Sequence, residues 1–549
     1  MTNSIVESVF KSAFFFPGKT CLADDFTTVT YSEYCGKITA LADFFDNGCG
    51  GRLPSIQKGD IVVVEAVQSV TFLAIELALH LLGAVFVPLE QHAPAAKLMS
   101  VADVCRAKLI ISDNCDELSQ KEYAVIPYNK LNQLSGTCNP KYDTFISLFE
   151  DRSANALTQA ISDCFRDFDI RQYNPHFSFP PADSVSEILF STGTTGKEKG
   201  IVLTHRSAVA VAENIAFAVD MKEDNVELIP SPLNHSHGLR SYYANMLIGA
   251  TVIILGSMMN FVRFFECMDI FKVTAIDLVP TALSVLLKRS RAKLADYRST
   301  LRYIEFGSAK LNESDKFRIK ELLPRTPLYN FFGSTESGRS CCYNFNVPNE
   351  KPCCIGKPTR NSTIVTVDEN GNEITASKDL PGLIACKGLM NMTCYYEDES
   401  ETLSVMRNEL ILSKDLAYFD EDGDIILLGR KGDVINSGGR KISPDEIEDA
   451  AKTIEGIKDC GCIGAEDAIL GSVPILWVQT ALGVTLSEAD VLNQLRGLLE
   501  SFKLPKHVYF ANEIPRTFNG KLLRRTLTEM YENAQTSNRL HASNTKGIQ

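Results

Sequence analysis

Positive charge is scarce in this sequence. The 549 residues include 55 lysines and arginines against 68 aspartates and glutamates, which gives a formal net charge of −13. A protein that binds nucleic acid non-specifically usually presents a basic face, so this balance argues against that class. We therefore expect no nucleic-acid partner, while the charge leaves the choice of small-molecule substrate open.

Long uncharged apolar runs are also missing. The most apolar segment, residues 72–89, contains Glu76 and His80, which is typical of a buried helix that runs into a strand and not of a membrane span. The first residues lack the basic and then apolar pattern of a secretory signal peptide. We therefore expect a cytoplasmic protein without a membrane span.

The cysteines do not have the spacing that is typical of a zinc site. Among the 16 cysteines, the pairs at 341–342 and 353–354 are adjacent, which is poor chelate spacing, and no histidine lies nearby. The Cys-Gly-Cys run at 460–462 lies in a strand-like segment and predicts no metal site either. In a long chain without a secretion signal, we expect reduced thiols. No obvious Ser-His-Asp or Cys-His catalytic signature is present.

The length of 549 residues is too great for one hydrophobic core, so two or more domains are expected. Residues 1–115 alternate helix and strand patterns, which favours parallel sheets covered by helices. Residues 115–183 are less regular, and the short, turn-rich runs of residues 340–428 predict a small β domain. The character changes at residues 429–433, beyond which the chain shows a compact α+β pattern, and residues 534–549 form a polar tail that we expect to fray.

Apolar periodicity and turn residues place the individual elements. Strands are predicted at residues 61–66, 84–89, 108–112, 185–189, 201–203, 251–255, 275–279, 303–306, 425–428 and 474–482. Helices are predicted at residues 71–82, 312–323 and 487–501, the second with Asn312 as its N-cap. A further helix is predicted to begin after Ser443 with Pro444 at its first position, a capping box to Glu446, and an end at Gly456.

One stretch, residues 190–200, combines three glycines, four hydroxyl residues and two lysines between two strand-like runs. Such a loop brings backbone N–H groups, hydroxyls and ammonium groups onto a polyphosphate, and its glycines allow close approach. A Walker P-loop fails on spacing, because only two residues separate Gly193 from Gly196 and Glu198 follows Lys197. For the loop alone, a plain Gly/Thr turn stays an alternative.

Further short motifs follow this loop in order. They are Pro-Ser-Pro-Leu-Asn-His-Ser-His-Gly at 230–238, Gly-Ser-Ala at 307–309, Phe-Gly-Ser-Thr-Glu at 332–336, Ser-Lys-Asp at 413–415 with Arg430, Gly-Gly-Arg-Lys at 438–441, and Pro-Arg-Thr-Phe-Asn-Gly-Lys at 515–521. In this order they resemble the adenylate-forming superfamily, which comprises acyl-CoA synthetases, carrier-protein adenylation domains and luciferase-like enzymes. The resemblance covers most of the chain.

The resemblance implies an α/β fold: a large N-terminal domain of two βαβαβ-type subdomains plus a small β-barrel subdomain, followed by a small mobile α+β C-terminal domain. We place the N-terminal AMP-binding domain at residues 1–428, the hinge at 429–433, the C-terminal AMP-binding domain at 434–533 and the polar tail at 534–549. Gly432 takes the hinge position, where glycine suits a backbone that must change φ and ψ.

The resemblance also implies residue roles, position by position. Lys521 matches the adenylation lysine, His235 the histidine that gates the acyl pocket, and Glu336 the Mg²⁺ carboxylate, with Thr195 as a second metal ligand. The implied ATP-binding and thiol-site residues are Ser191, Thr192, Gly193, Thr194, Thr195, Gly196, Lys199, Gly307, Ser308, Ala309, Phe332, Gly333, Ser334, Thr335, Asp415, Arg430, Gly438 and Gly439.

Three positions depart from the family pattern. Glu198 replaces a proline, and we expect its carboxylate to face solvent because it would otherwise repel phosphate. Phe332 replaces the usual tyrosine, which keeps stacking on adenine and loses the hydroxyl contact. Lys414 replaces a glycine before Asp415, the residue implied to hold the ribose hydroxyls with Arg430, and this puts the local backbone geometry in question.

The implied function is that of an ATP-dependent acid–thiol ligase, which makes an acyl-adenylate from a carboxylic acid and passes the acyl group to CoA, with ATP, Mg²⁺ and CoA as cofactors. Alternatives are an acyl-AMP ligase acting on a free-standing carrier protein or an amine, a luciferase-like oxygenase, and a nucleotide-binding relative that has lost catalysis. His237, Gly238 and Arg240 would line or border the acyl site, and we expect Arg240 to form a surface ion pair. Small, aromatic and medium-chain acids all stay open as substrates.

Overall fold

A computed structural model of the protein describes residues 2–51, 53–114, 117–118, 123–134, 168–172, 174–192, 198–256, 260–290, 292–438, 440–516 and 522–545, without the side chains of 133, 134, 172, 192, 198 and 536–545. The strands are β1 (Thr20–Ala23), β2 (Thr28–Thr30), β3 (Ile61–Glu65), β4 (Val85–Leu89), β5 (Leu109–Ile111), β6 (Val125–Ile126), β7 (Val185–Thr192), β8 (Glu198–Thr204), β9 (Val226–Ile229), β10 (Thr251–Ile254), β11 (Ala275–Leu278), β12 (Tyr303–Phe306), β13 (Leu328–Ser334), β14 (Gly338–Asn344), β15 (Cys354–Pro358), β16 (Ser362–Val367), β17 (Gly382–Gly388), β18 (Cys394–Tyr395), β19 (Met406–Arg407), β20 (Leu410–Phe419), β21 (Ile425–Arg430), β22 (Ile435–Ser437), β23 (Arg440–Ile442), β24 (Ile457–Asp467), β25 (Gly471–Thr480) and β26 (His507–Phe510).

The α-helices are α1 (Ile5–Phe15), α2 (Tyr31–Asp46), α3 (Gly48–Gly51), α4 (Val70–Leu81), α5 (Ala95–Cys105), α6 (Tyr128–Leu134), α7 (His205–Ala218), α8 (Ser236–Ile248), α9 (Phe261–Ile270), α10 (Pro280–Arg289), α11 (Glu313–Leu322), α12 (Glu399–Val405), α13 (Pro444–Lys452), α14 (Glu488–Leu495) and α15 (Arg524–Thr545). Short 3₁₀ turns occur at Ile170–Gln172, Lys293–Tyr297 and Ser501–Lys503. No helix among the described residues combines the length and apolar character that crossing a membrane requires.

Two large sheets carry the N-terminal part of the chain. The first has the order β18-β8-β7-β4-β3-β5-β6, in which β4, β3, β5 and β6 are parallel. The second has a parallel centre, β13-β12-β11-β9-β10-β1. Helices connect these parallel strands, as the alternating pattern predicted, because parallel neighbours require a crossover connection.

The predicted small β domain is built onto the second sheet. From β14 onward the pairing is antiparallel, and the path β14-β15-β21-β20-β17-β16 continues the sheet without a break. Strand β20 and strand β21 therefore lie on the same sheet as β12 and β13. This continuity fixes the position of residues 410–430 relative to the parallel strands.

A third sheet forms the C-terminal part. Its order is β23-β22-β25-β24, and β26 pairs with β25 in parallel. Helices α13 and α14 cover a core that includes Ile447, Ala451, Leu476 and Val491. This α+β composition is the one that the pattern after residue 433 predicts.

The largest hydrophobic core lies among α1, α2, α4, α7 and α8. Every residue of α4 is buried, including Glu76 and His80. The segment is therefore a buried helix followed by strand β4, as predicted. Buried charged groups need partners, and Glu76 accepts a hydrogen bond from the Tyr243 hydroxyl.

Most predicted elements are confirmed to within one or two residues, and strand 303–306 matches in full. Three details are wrong. Ser443 is the N-cap of α13 but its side chain makes no cap hydrogen bond, and the Glu446 carboxylate accepts from Lys503 at 2.6 Å. Helix α14 ends at Leu495, short of the predicted end at residue 501. Helix α13 ends at Lys452, short of the predicted end at Gly456, whereas the fraying of residues 534–549 stays a prediction.

Candidate active site

A tight hairpin between β13 and β14 presents Thr335 and Glu336. A Cβ added to Gly333 would lie 1.8 Å from the carbonyl oxygen of Gly338, so only glycine fits this close crossing. The Ser334 and Ser337 hydroxyls lie 3.2 Å apart and close the turn. The backbone therefore holds Thr335 and Glu336 in place, and a side chain at position 333 would disrupt this backbone geometry.

The Glu336 carboxylate meets the hydroxyl of Tyr395. Tyr395 donates to Glu336 Oε1 at 2.7 Å, and the backbone N–H of Met392 donates to the Glu336 carbonyl at 2.7 Å. Burial and the neighbouring Glu336 carboxylate raise the pKa of Tyr395, so its hydroxyl keeps its proton and donates. Carboxylate oxygens are the ligands that Mg²⁺ prefers, and Glu336 is only half-buried.

Strands β7 and β8 form the two arms of the predicted phosphate loop. Ser191 pairs with Lys199 across the arms, and the next pair is Thr192 with Glu198. The Lys199 ammonium contacts the Glu401 carboxylate and lies 5.4 Å from the centre of the Tyr395 ring. The structure thus brings Lys199 of the loop next to the Tyr395–Glu336 pair.

Sequence reasoning missed Tyr395 and Glu401. Tyr395 lies on β18, which pairs antiparallel with β8 so that Cys394 faces Val202, and Glu401 lies on α12, which follows β18 in the chain. The contact joins residues about two hundred positions apart, so no local spacing could have indicated it. The one available signal was composition, because a tyrosine pair followed by acidic residues at 395–401 stands out in a turn-rich region.

Helix α8 begins at the hairpin turn. His235 is its N-cap and is exposed, and the Ser236 hydroxyl lies 3.3 Å from the Thr335 hydroxyl. A Cβ on Gly238 would lie 2.8 Å from the Ser231 carbonyl oxygen, so glycine allows the preceding 230–238 loop to fold against the helix. The 230–238 and 332–336 motifs therefore meet at this point.

His237 is buried behind Gly307, with 9% of its surface exposed. A Cβ on Gly307 would lie 2.8 Å from His237 Cε1, so the two residues are in direct contact. The next residue, Ser308, is exposed and has a φ of +74°, a conformation that costs free energy in a non-glycine residue. The 307–309 stretch is therefore held in a strained turn beside the first turn of α8.

The prediction of a surface ion pair for Arg240 is wrong. Arg240 is 4% exposed and its Nη1 lies 2.5 Å from Glu187 Oε1, on strand β7. Its guanidinium also lies 5.1 Å from the centre of the Tyr243 ring. Arg240 is therefore a buried residue that faces strand β7 and the ring of Tyr243.

Asp415 and Arg430 face each other across β20 and β21. They are register partners, and Arg430 Nε lies 3.5 Å from Asp415 Oδ1. Burial raises the pKa of Asp415, and the guanidinium works against that rise. Lys414 continues the strand with its side chain exposed, so replacing glycine there does not disturb the backbone.

Phe332, the second position that departs from the family pattern, is half-buried against the core that contains Val211.

The C-terminal part contributes a glycine turn. Gly438 has a φ of +58° and its N–H donates to the Leu470 carbonyl at 2.8 Å. Gly432 is exposed, and a Cβ there would meet no atom within 4 Å, so packing does not require glycine at this position. Its role as a hinge stays a prediction.

Several predicted residues lie outside the described part of the chain. They are Gly193, Thr194, Thr195, Gly196, Gly439 and Lys521. The side chains of Thr192 and Glu198 are likewise not described, so the expected orientation of Glu198 toward solvent stays a prediction.

Family models match both parts of the chain. The model described as AMP-binding enzyme matches residues 9–396, and the model described as AMP-binding enzyme C-terminal domain matches residues 446–521. The first match includes the 191–200 loop, the start of α8 and the Thr335–Glu336 hairpin. The second ends at the position of Lys521.

Curated relatives match over nearly the whole length. 4-Coumarate–CoA ligase-like 6 from Arabidopsis thaliana is 25% identical over 551 residues, which covers 95% of this chain and 89% of the relative. A 2-succinylbenzoate–CoA ligase from Bacillus cereus strain Q1 is 25% identical over 528 residues, which covers 95% of this chain and 98% of the relative.

Solved structures share the fold. ATP-bound MatB from Rhodopseudomonas palustris superposes with a TM-score of 0.80 at 21% identity, covering 97% of this chain and 100% of MatB. O-Succinylbenzoate CoA synthetase (MenE) from Bacillus subtilis, in complex with its acyl-adenylate intermediate, gives a TM-score of 0.75 at 21% identity, covering 95% and 97%. At this identity, the likeness supports the arrangement of sheets and domains and no more.

Proposed function

Because this chain belongs to the AMP-binding enzyme family, we propose that it is an acid–thiol ligase. It activates a carboxylic acid with ATP as an acyl-adenylate and transfers the acyl group to coenzyme A, releasing AMP and pyrophosphate. The observation that carries this proposal is the meeting of Lys199, Tyr395 and Glu336 at the end of the phosphate loop. The relatives named as CoA ligases support the choice of thiol acceptor.

The chemistry requires charge neutralisation in the first step. A carboxylate is a poor acyl donor because its leaving group would be oxide, and adenylation replaces that leaving group with AMP. The attack brings a carboxylate against the α-phosphate, so two anions must approach each other. Preorganised positive charge offsets this repulsion and stabilises the charge that develops on the phosphate oxygens.

Glu336 and Thr335 would hold the metal and phosphate end of ATP. Glu336 fits a Mg²⁺ ligand because Tyr395 occupies one carboxylate oxygen, and the other makes no hydrogen bond among the described residues. Mg²⁺ bound there supplies positive charge to the phosphates. Lys199 adds an ammonium group, which Glu401 holds in place until phosphate competes for it.

Asp415 and Arg430 would bind the ribose. Asp415 is an acceptor for two hydroxyl groups, and Arg430 holds the carboxylate in register across β20 and β21. Since both strands continue the sheet of β12 and β13, the proposed ribose site and the Thr335–Glu336 hairpin belong to one continuous sheet. Rigid placement of the reactants contributes to the rate through orientation.

Lys521 would serve the first half-reaction only. The proposal assigns it the ammonium group that meets the α-phosphate, and a turn of the C-terminal part about Gly432 would then present the Gly438–Gly439 turn to the thiol. We expect Lys521→Ala to abolish adenylate formation and to leave thioester formation from a supplied acyl-adenylate largely intact. An equal fall in both half-reactions would contradict this division of roles.

The test is carboxylate-dependent exchange of pyrophosphate into ATP, followed by addition of CoA. We expect a broad panel of acids to include substrates that support exchange, and CoA to convert the adenylate into a thioester. Glu336→Gln should lower exchange by about 10²–10³-fold, because it removes one electrostatic stabiliser. Glu321→Gln, an exposed pair partner on α11, is the control. Exchange that no acid supports would overturn the proposal.

A further inference from the structure

One buried arginine links the hairpin that carries Glu336 to two other parts of the candidate site. Arg339 is the second residue of β14, lies three residues after Glu336, and is 6% exposed. Its backbone is the register partner of Gly333 on the other arm of the hairpin. A Cβ on Gly333 would lie 3.2 Å from the Arg339 Cα, so these two backbones are in contact. A shift of Arg339 therefore passes directly to the turn.

The pairing of the two arms is irregular beside Arg339. Phe332 pairs with Cys341, and the next pair, Gly333 with Arg339, skips one residue of β14. A bulge of this kind leaves one residue out of the ladder and lets the strand bend. Strand pairing alone therefore does not fix the direction in which the turn points, and contacts from other elements are required.

The guanidinium of Arg339 supplies such contacts to a strand and a helix. Its Nη1 donates to Glu305 Oε2 on β12 at 2.6 Å, and its Nη2 donates on α8 to the Ser241 hydroxyl at 2.7 Å and to the His237 carbonyl at 2.9 Å. The Ser241 hydroxyl donates in turn to Glu305 Oε1 at 2.5 Å, which closes a ring of three hydrogen bonds. Because a guanidinium is planar and its donors have fixed directions, these acceptors determine its orientation.

The partners of this guanidinium belong to elements that carry other predicted site residues. The strand partner, Glu305, lies on β12, which leads directly into the 307–309 turn. The helix partners lie in the first two turns of α8, where the Ser236 hydroxyl lies 3.3 Å from the Thr335 hydroxyl. One side chain thus holds the hairpin, the start of the helix and the strand before the turn in a single arrangement.

The backbone of residue 339 is fixed as well. The Arg339 carbonyl accepts a hydrogen bond from the Thr359 hydroxyl at 2.9 Å and another from the Asn214 amide of α7 at 3.1 Å. The ring of Phe331, on the other arm of the hairpin, lies 4.8 Å from the guanidinium carbon. Residue 339 is therefore held through both its backbone and its side chain, by contacts within the protein itself.

Burial makes the pair of Arg339 and Glu305 sensitive to substitution. Glu305 is 0% exposed, and Asp277 on β11, also 0% exposed, lies 3.6 Å from Arg339 Nη2. Without the guanidinium, two buried acidic side chains would lose this cation, and removing one partner of a buried ion pair is strongly destabilising. The groups around the vacated position must then rearrange, and the hairpin backbone is in direct contact with that position.

We propose that Arg339 is a positioning residue for the metal and phosphate end of ATP: it ties the hairpin to β12 and α8 and so holds the Glu336 carboxylate and the Thr335 hydroxyl in place. The inference rests on the proposed function, which assigns Mg²⁺ to Glu336 and phosphate to Thr335. Arg339 is buried and acts through the backbone of the hairpin, whereas Tyr395 acts on the Glu336 carboxylate directly. Its role requires no contact with ATP.

The test is the gain in ATP affinity that Mg²⁺ provides, measured by isothermal titration calorimetry as the ratio of the Kd in EDTA to the Kd in Mg²⁺. Arg339→Met should reduce this ratio about tenfold, because residues that orient a metal ligand contribute on that scale. The Kd in EDTA should change by less than about twofold, since the proposed ribose residues lie on other strands, β20 and β21. An unchanged ratio would overturn the inference, and so would a wild type in which Mg²⁺ gives no gain.

A double-variant cycle separates positioning from a general loss of packing. If Arg339 acts through Glu336, then Arg339→Met should lower the ratio by less than about twofold in a Glu336→Gln background, where the metal ligand is already gone. A further fall of about tenfold in that background would show that Arg339 acts on ATP binding by another route, which contradicts the inference.

Asn245→Leu is the matched control for contacts between α8 and the sheet. The Asn245 amide, one turn beyond Ser241, donates to the buried Glu227 carboxylate on β9 at 2.5 Å. Its loss also takes a partner from a buried carboxylate, so urea unfolding should show that both variants are less stable than the wild type. Only Arg339→Met should lower the Mg²⁺ ratio, and an equal fall for Asn245→Leu would refute the assignment to Arg339.

Two milder variants decide the question if Arg339→Met does not fold. Ser241→Ala and Glu305→Gln each keep Arg339 and weaken one of its hydrogen bonds, and each should lower the ratio about threefold. An unchanged ratio in both would overturn the inference. Pyrophosphate exchange is measured alongside: the expected ratios without acid-dependent exchange would sink the proposed function alone, whereas exchange with unchanged ratios would sink this inference alone.

Discussion

The ammonium of Lys310 lies 2.6 Å from Asp449 Oδ2 and so joins the strained 307–309 turn to helix α13 of the C-terminal part. Asp445 lies 3.8 Å from the same ammonium, and the Lys452 ammonium donates to Asn312 at 3.1 Å beside it. Burial by itself lowers the pKa of Lys310, but Asp445 and Asp449 outweigh it and raise that pKa. The contact holds the C-terminal part in one orientation.

Lys310→Met should loosen this orientation. The pair is partly exposed, so its loss is worth about 0.5–1 kcal/mol and a roughly two- to fivefold change in the population of the docked form. We expect the rate of limited proteolysis at residues 429–433 to rise by the same factor. Lys320→Met removes an ion pair within the large part and is the control. Equal rates of proteolysis for Lys310→Met and the wild type would show that this ion pair does not hold the C-terminal part in its orientation.

Tyr395→Phe removes the hydroxyl that donates to Glu336 and leaves the ring beside Lys199. We expect a loss of about tenfold in kcat/KM and a higher Mg²⁺ concentration at half-maximal rate, because the carboxylate loses its orienting hydrogen bond. Steady-state kinetics at varied Mg²⁺ measure both. Tyr396→Phe is the matched control, since among the described residues that hydroxyl donates to the Cys105 carbonyl alone, at 3.5 Å. An unchanged Mg²⁺ dependence would contradict the assignment.

Gly333→Ala should destroy the hairpin turn. The added methyl would lie 1.8 Å from the Gly338 carbonyl oxygen, so the strands must separate and Glu336 must move. We expect activity to fall by at least about a hundredfold, since misplacement by 1 Å can cost that much. Gly18→Ala, where a Cβ meets no atom within 4 Å, should keep full activity. Pyrophosphate exchange, with circular dichroism as a check on folding, compares the two variants.

His80→Gln should change the pH dependence of the free energy of unfolding. Burial lowers the pKa of His80 to about 4, so below pH 6.5 the unfolded chain binds a proton that the folded chain does not. Stability that is present above pH 6.5 is therefore lost as the pH falls toward 4. We expect the free energy of unfolding of the wild type, relative to the variant, to fall by about 2 kcal/mol between pH 7 and pH 5.

Urea unfolding at both pH values measures this difference. Leu73→Ala, a buried and non-titrating change on the same helix, should lower the free energy of unfolding by the same amount at each pH. A difference between wild type and His80→Gln that does not change with pH would mean that the buried imidazole is not the source of the effect.

Local pattern was sufficient for most of the fold. The β-branched run at 61–66 and the run Tyr-Ile-Glu-Phe at 303–306 predicted strands that the structure confirms, because β-branched and aromatic residues suit the buried strands of a parallel sheet. The capping box predicted at Ser443 is wrong, and the Glu446 carboxylate instead accepts a hydrogen bond from Lys503 in a distant 3₁₀ turn. A local motif is overridden when a tertiary partner competes for the same group.

The residues of the candidate site likewise include some that the sequence predicted and some that it did not. The role of Glu336 was predicted from the family resemblance, and the 191–200 loop was predicted from its glycines, hydroxyl residues and lysines, because both motifs consist of consecutive residues. Tyr395 was not, since it reaches Glu336 through the pairing of β18 with β8. Arg240 was predicted at the surface because a single arginine in a helix gives no sign of its partner, and the structure buries it against Glu187.

By itself, the sequence determined the order of strands and helices, the tight turn at Gly333 and the family to which the chain belongs, because these depend on neighbouring residues. Only the tertiary structure decided that Lys199 meets Tyr395 and that Arg339 pairs with the buried Glu305. Those contacts join residues from separate strands, and their energies come from burial and charge that exist only after the sheets have formed.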